Sequence, residues 1–287
     1  MLINETSKAT NLTKKAIEYY TEQGLIHPII LENGYRDFTD KDIKSLSKIY
    51  VLRKLGLSTE EIKGVLEDET GNLLHKISVK MKLKAESELK KKDILDRLCN
   101  GQSYSGVSKE LETISLNDVI IDKLLGAFPG YYGRFICLHF ARFLNEAIVS
   151  KEQQEAYHEI IDFLDNIPVI DFPQDTLEYL LESTKDISTI DISKMIESTK
   201  MAIEEPDKFF IENKEILVQY MAFKKSQEYL NSPLYQLQSL LQEFYKNSGY
   251  YDVFIPAMRR LSTSYEQYYK GIEKANEKYL SLYPEQQ

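Results

Sequence analysis

Between positions 71 and 98 apolar residues recur mostly every three or four places, at Leu73, Leu74, Ile77, Met81, Ala85, Leu89, Leu95 and Leu98. That period predicts one long helix, because 3.6 residues per turn bring i, i+3 and i+4 onto a common face. The stripe is narrow and its surroundings are charged. It therefore suits a partner helix better than a broad core, as in a coiled-coil pair, although Lys84 and Lys91 interrupt the seam. A solvated helix joining two parts of one monomer is the other reading. Next, Asn100 to Ser108, reading N-G-Q-S-Y-S-G-V-S, combines two glycines with serines and interrupts every helical pattern around it, which predicts a hinge over 100–108. From Arg134 to Ser248 there is no glycine, and Pro168, Pro173, Pro206 and Pro233 fall between periodic stretches, as they do between helices. The helices expected there run roughly over 116–128, 132–147, 151–166, 174–183, 192–204, 209–230, 234–247 and 253–280. Start signals agree: Ser150 and Gln153 have capping-box spacing, and Ser232-Pro233 puts proline at a first helical position. Runs of period two and repeats of fixed length are absent, which argues against a sheet or a solenoid.

The first seventy residues have a different pattern. Glu5 to Thr10 reads as a short helix, Asn11 as a turn residue that tolerates positive φ, and Thr13 as the cap of a second helix through Tyr20. This is helix-turn-helix spacing, and the second helix offers Lys14, Lys15, Tyr19 and Tyr20 to phosphate and sugar. Beyond Gly24-Leu25-Ile26, an extended run Ile29-Ile30-Leu31, a turn Glu32-Asn33-Gly34 and the segment Tyr35-Arg36-Asp37-Phe38 predict a hairpin wing that carries Arg36.

Composition narrows the class. The chain has 287 residues, 43% hydrophobic and 28% charged, which is the profile of a globular protein of about two domains. Its net charge of −9 is unevenly spread: residues 1–100 carry a net +2 and the remainder −11. Nucleic acid would be repelled by the whole but not by a first part with local basic clusters. No apolar run approaches the roughly 18 residues of a bilayer span, and the first residues lack signal-peptide order. A cytoplasmic protein without a membrane partner is expected.

The strings Ala16-Ile17-Glu18-Tyr19-Tyr20, Gly24-Leu25-Ile26, Asn33-Gly34-Tyr35-Arg36, Asp42-Ile43, and Leu52-Arg53-Lys54-Leu55-Gly56-Leu57-Ser58 with Glu60-Glu61-Ile62 follow one another in order. Together they resemble the winged helix-turn-helix head of the MerR family of bacterial transcription regulators, over roughly residues 1–70, and a following dimerisation helix is also a family feature. The resemblance implies a homodimer whose recognition helices enter successive major grooves of double-stranded promoter DNA. Family members untwist and bend an overlong promoter spacer, and so act on RNA polymerase indirectly; sequence-dependent stiffness makes such distortion a selectable cost. Carried over by position, Lys15, Tyr19, Tyr20, Tyr35, Arg36 and Arg53 are the expected DNA contacts, with Thr13 and Lys14 as helpers. Two positions depart from the family. Asn11 replaces the usual turn glycine, and Glu18 stands where arginine is usual, either turned inward toward a lysine or reading a cytosine amino group, with the inward role favoured.

The expected organisation is mainly α: a winged helix-turn-helix domain with a small β wing over 1–70, a dimerisation coiled-coil helix over 71–99, the hinge at 100–108 and an all-helical effector or interaction domain over 109–287. No cofactor, metal site or enzyme activity is expected. Cys99 stands alone, and Cys137 and His139 lie in an apolar pattern. A Ser/His/Asp order, a phosphate-binding glycine loop and a His-x-x-x-His pair are all missing. The C-terminal part is rich in aromatics and acidic overall, as a site for a small lipophilic or cationic effector would be. Glycines bracket Tyr131 and Tyr132 in Phe128-Pro129-Gly130-Tyr131-Tyr132-Gly133-Arg134, which makes Tyr131, Tyr132 and Arg134 the candidate effector-binding residues, on a loop. The alternative is a DNA-binding adaptor whose acidic helical domain binds a protein partner.

Overall fold

The computed structural model describes residues 1–128, 130–170 and 172–283. It separates into two compact units, Met1–Leu74 and His75–Gln287. The fold is mainly α, with a small two-stranded sheet in the first unit.

In that unit α1 (Ile3–Thr10) ends at Asn11, which takes the left-handed conformation at φ 54°. Thr13 Oγ1 then accepts from the Ala16 amide at 3.2 Å and starts α2 (Lys14–Glu22). The wing pairs β1 (Ile29–Ile30) with β2 (Arg36–Asp37) in antiparallel register, Ile30 opposite Arg36. Gly34, at φ 82°, supplies the backbone turn that a two-strand hairpin of this hand requires. Next come α3 (Asp40–Lys54) and α4 (Thr59–Glu67), with Thr39 and Ser58 as their capping residues. Ile17, Tyr20, Leu25, Ile26, Phe38, Leu46, Ile49, Leu52 and Ile62 are buried in the unit. Asp42 is buried too, and it accepts from the Thr39 amide (2.8 Å), the Thr39 hydroxyl (2.7 Å) and the His27 amide (3.1 Å), tying the chain before the wing to α3.

Helix α5 (Asn72–Cys99) has two unlike faces. Val79, Leu83, Ser87 and Ile94 are buried, while Leu74, Met81, Leu89 and Leu95 are 45, 46, 67 and 59% exposed. The buried face pairs with α6 (Tyr104–Ala127) in an antiparallel helical hairpin, closed by Ile94 against Val107 and Ile114, Arg97 to Glu110 at 2.7 Å and Lys80 to Asp122 at 3.0 Å. Of the residues expected to form a hinge, only 100–103 are non-helical. Ser103 Oγ accepts from the Gly106 amide and burial of Val107 holds the following turn, so helix begins about three turns before the expected Leu116.

The remaining helices are α7 (Gly130–Ala141), α8 (Lys151–Asn166), α9 (Gln174–Thr184), α10 (Thr189–Glu204), α11 (Pro206–Glu212), α12 (Lys214–Lys224), α13 (Gln227–Leu230), α14 (Pro233–Asn247), α15 (Ile255–Leu261) and α16 (Thr263–Leu282), with a π-helical turn at Tyr250–Phe254. The core gathers α5 to α8, α10, α15 and α16 around Leu124, Cys137, Phe140, Ile160, Ile192, Phe254 and Met258. Three expected helices are shorter or divided. The one from Tyr132 stops at Ala141 because the buried Asn117 captures the Leu144 carbonyl at 2.7 Å. The 209–230 stretch breaks at Asn213 and again at Ser226, whose hydroxyl caps α13. The last breaks at Ser262, where Glu146 accepts from the Thr263 (3.1 Å) and Ser264 (2.7 Å) amides at the start of α16.

Gly133 sits where a Cβ would collide with the Phe128 carbonyl oxygen. Gly133→Ala is therefore expected to cost about 2 kcal/mol, as overpacking does, and to lower Tm by about 4–8 °C for a unit of this size; a calorimetric melt unchanged from wild type would refute this. A second expectation concerns pH. The Arg259 guanidinium hydrogen-bonds Glu266, outweighing burial, and with Lys270 holds that carboxyl at about 2, below its ordinary 4.5. Because the folded value is the lower one, the pair's stabilisation is complete above about pH 4.5 and is lost as pH falls toward 2. The Tm gap between wild type and Glu266→Gln should close over that range, and a gap constant with pH would contradict it.

Candidate functional site

The first candidate surface is the outer face of α2 and the wing. Lys14, Lys15, Glu18 and Tyr19 are exposed on α2, and Ile17 and Tyr20 turn into the core. Tyr20 is 6% exposed and packs edge-on against Tyr19 at 5.6 Å, so it holds α2 in place and gives the surface little area. The Tyr19 hydroxyl lies 3.3 Å from Thr59 Oγ1, which links α2 to α4. On the wing Tyr35 is 62% exposed, its amide bonded to Asn33 Oδ1 at 3.1 Å, and Arg36 is half-buried. Arg53 Nη1 donates to the Leu57 carbonyl at 2.6 Å, so part of this guanidinium closes the α3–α4 turn. Thr13 has its hydroxyl engaged in the α2 cap. Among the described residues Lys14, Lys15 and Arg36 form no ion pair. Cations left without an internal partner, on an exposed helix and an adjoining wing, are what phosphate contacts need.

Glu18 does not turn inward as favoured from the sequence. It is exposed, and among the described residues it makes no ion pair. With Ile17 and Tyr20 filling the buried face of α2, a carboxylate at position 18 falls on the outer one. Glu18→Gln is expected to tighten binding to a scrambled duplex about fivefold per protomer, the ~1 kcal/mol of a unit charge pair 4 Å apart in water. Unchanged affinity in an anisotropy titration would put Glu18 outside the interface.

The second candidate is a cavity of about 440 Å³ in the C-terminal unit. Helix α7 contributes Tyr132, Phe135 and His139 to it, α10 contributes Ile196 and Thr199, and α14 contributes Tyr245. Tyr250 and Tyr251 of the π-helical turn and Tyr265, Tyr268 and Tyr269 of α16 complete most of the wall. Burial pushes the Tyr132 hydroxyl up to about 12 and His139 down to about 3, with Arg142 adding to the latter. Of the loop expected over 128–134, residues 130–134 form the start of α7 (Gly130–Ala141), and Pro129 lies outside the described residues. Of the three candidate effector residues, Tyr132 faces the cavity. The Tyr131 hydroxyl bonds Met195 Sδ at 3.6 Å, and Arg134, 1% exposed, donates to the Ile187 carbonyl at 2.8 Å. Among the described residues nine aromatic side chains and His139 line the cavity, most of them unmarked by any local motif; only the density of aromatics pointed to this region.

Among the described residues no three His, Cys, Asp or Glu side chains form a group able to hold a metal ion. Cys99 is exposed, and burial raises the Cys137 thiol to about 12. No helix of the described residues is long and apolar enough to cross a membrane.

A short helix, a tight turn, a capped second helix with free cations and a basic hairpin beside it define a winged helix-turn-helix nucleic-acid-binding domain. Residues 1–69 match the family described as MerR HTH family regulatory protein, so this segment is a MerR-type helix-turn-helix domain. Over 62 residues the chain is 42% identical to the HTH-type transcriptional regulator CueR of Salmonella typhi, a match that covers 21% of this chain and 45% of that protein. Over 67 residues it is 40% identical to the Heavy metal-dependent transcription regulator 2 of Rhizobium meliloti (strain 1021), 23% of this chain and 46% of the relative. A longer match, 26% identical over 134 residues, reaches the CueR of Vibrio cholerae serotype O1 and covers 46% of this chain and 84% of that protein. The chain thus spans about half the length of the first of these relatives. No solved structure matches the chain significantly.

Proposed function

We propose that the protein is a transcription regulator of the MerR type, a homodimer that binds and distorts promoter DNA in response to an effector received by the C-terminal helical unit. The observation that carries this reading is the set Lys14, Lys15 and Arg36, cations without internal partners on α2 and the wing of a MerR-type domain. Lys15, Tyr19, Tyr35 and Arg36 contact DNA, Lys14 and the free part of Arg53 add phosphate contacts, and Thr13 and Tyr20 fix the helix that carries them. Dimerisation uses the outward stripe of α5, whose Leu74, Met81, Leu89 and Leu95 are exposed in the protomer. RNA polymerase is affected through the shape of the DNA. The effector is a small organic molecule held in the aromatic cavity, whose described lining is mostly rings.

A second reading has its own support. Ile211, Ile216, Val218, Tyr220 and Phe223 on and around α12 are 40 to 77% exposed, an apolar surface suited to a protein partner and hence to an adaptor role. Anisotropy titration against DNA from upstream of the protein's own gene, with a scrambled duplex and varied salt, tests the regulator. A preference on the order of a thousandfold, steeply salt-dependent, is expected; equal binding to both duplexes would favour the adaptor.

A further inference from the structure

We infer that the cavity of the C-terminal unit takes an uncharged, flat aromatic molecule bearing a hydroxyl or carbonyl group, and that His139 meets that group. The inference rests on reading this unit as the receiver of an effector and specifies what the effector is.

Size and rigidity come first. At about 440 Å³ the space lies within the roughly 300–1,000 Å³ of small-molecule sites. Its walls brace one another: Tyr245 and Tyr250 are 4.5 Å apart between ring centres, Tyr250 stacks on Phe254 at 5.5 Å, and His139 meets Tyr268 edge-on at 5.4 Å. Rings packed in this way stay apart without a ligand, so the site is preformed. The wall at Tyr250 and Tyr251 belongs to a π-helical turn, Tyr250–Phe254, entered through Gly249 at φ 83°, and such turns are frequent at functional sites. Tyr251, which also lines the space, is 52% exposed.

Charge decides the ligand class. Among the described residues no Asp, Glu, Lys or Arg lines the cavity. Burial holds the Tyr245, Tyr250 and Tyr265 hydroxyls above their ordinary range, so the phenols stay protonated, and His139 stays neutral. The nearby charges lie behind the rings and are positive or already paired. Arg142 stacks on Phe143 at 4.6 Å and on Tyr268 at 4.7 Å, and Arg259 covers Tyr269 at 4.4 Å while bonded to Glu266. A lipophilic cation would find aromatic faces but no carboxylate, with a guanidinium behind Tyr268. A carboxylate would lose its water while remaining a ring away from Arg142, which does not line the space. An uncharged ring meets neither cost.

His139 supplies the polar preference. A neutral imidazole has one N–H donor and one acceptor nitrogen, and among the described residues neither is hydrogen-bonded. The ring is instead surrounded by Phe135, Phe140, Phe143 and Tyr268. A polar group in such surroundings gains from any partner that enters with a ligand.

The test uses four probes of one shape, 2-naphthol, naphthalene, 2-naphthoate and a trimethyl(naphthyl)ammonium salt, titrated calorimetrically into the full-length protein without DNA. 2-Naphthol should bind about tenfold more tightly than naphthalene, the worth of one hydrogen bond in a dry site, and the two ions should bind more weakly than either. His139→Phe should remove the tenfold preference and leave naphthalene binding in place. Thr199→Trp should abolish binding by filling the space, and Ile272→Phe replaces it should that variant fail to fold. Tightest binding by the cation or the anion, an unaltered naphthol preference in His139→Phe, or binding that survives the filled cavity would each overturn the inference. A parallel promoter titration with and without 2-naphthol separates the two readings: a bound probe that leaves DNA affinity unchanged refutes the effector role alone.

Discussion

Lys15→Ala combined with Arg36→Ala is expected to weaken binding to the upstream DNA by on the order of a hundredfold for each half-site, since each of the two hydrogen bonds lost per protomer, made by a charged group, is worth roughly 1.5 kcal/mol or more. Neither side chain has an ion-pair partner to lose among the described residues, and Lys15 is exposed while Arg36 is half-buried on the wing. The melting curve should therefore hardly move, because surface substitutions away from structural features stay within about 0.5 kcal/mol. The diagnostic is the salt dependence. Each phosphate contact adds about 0.9 to the slope of log K against log salt, so removing two per protomer from a dimer should reduce the slope by roughly 3 to 4. Weakened affinity at an unchanged slope would mean that these side chains do not touch phosphate.

Met81→Glu with Leu89→Glu is expected to convert the dimer into a monomer at micromolar concentration. Both side chains are already exposed in the protomer, at 46 and 67%, so the substitution leaves the protomer's core untouched. It places two like charges across the proposed seam, where apolar a and d positions would otherwise interlock. Sedimentation equilibrium reads the mass directly. DNA binding should fall with the dimer, because two recognition helices must engage half-sites together. A variant that remained dimeric would move the interface to another surface, the exposed apolar residues of α12 being the first to examine.

How much of this could be read from the chain differs between the two units, for physical reasons. The first is built from local signals. Thr13 caps the helix that follows it, Asn11 makes its own turn, and Asn33-Gly34 turns the hairpin, so each element is written within a few residues of itself. In the C-terminal unit the deciding contacts are distant in sequence. Asn117 ends a helix twenty-seven residues away, and Glu146 holds the start of α16 from more than a hundred residues back. Neither interaction has a local pattern. The α5 stripe was legible as one face, but the second, at Val79, Leu83 and Ile94, makes sense only once α6 lies against it. The Tyr131–Tyr132 pair was legible as unusual. What kept it from being a loop is the close approach of Gly133 to the Phe128 carbonyl, which needs glycine inside a helix. The cavity collects rings from α7, α14, the π-helical turn and α16, spread over some 140 residues, and only folding brings them together.

Helix α5 carries one further implication. One of its faces is already covered by α6 and the core, and the other is the proposed seam, so pairing of two protomers would enclose it on both sides. A helix covered in this way loses its routes to local opening. Its amides around Val79 to Leu89 should then be among the slowest in the protein to exchange with deuterium, and the rate should rise on dilution as the dimer dissociates. A concentration-dependent exchange map would thus show where two copies meet without any prior choice of mutation.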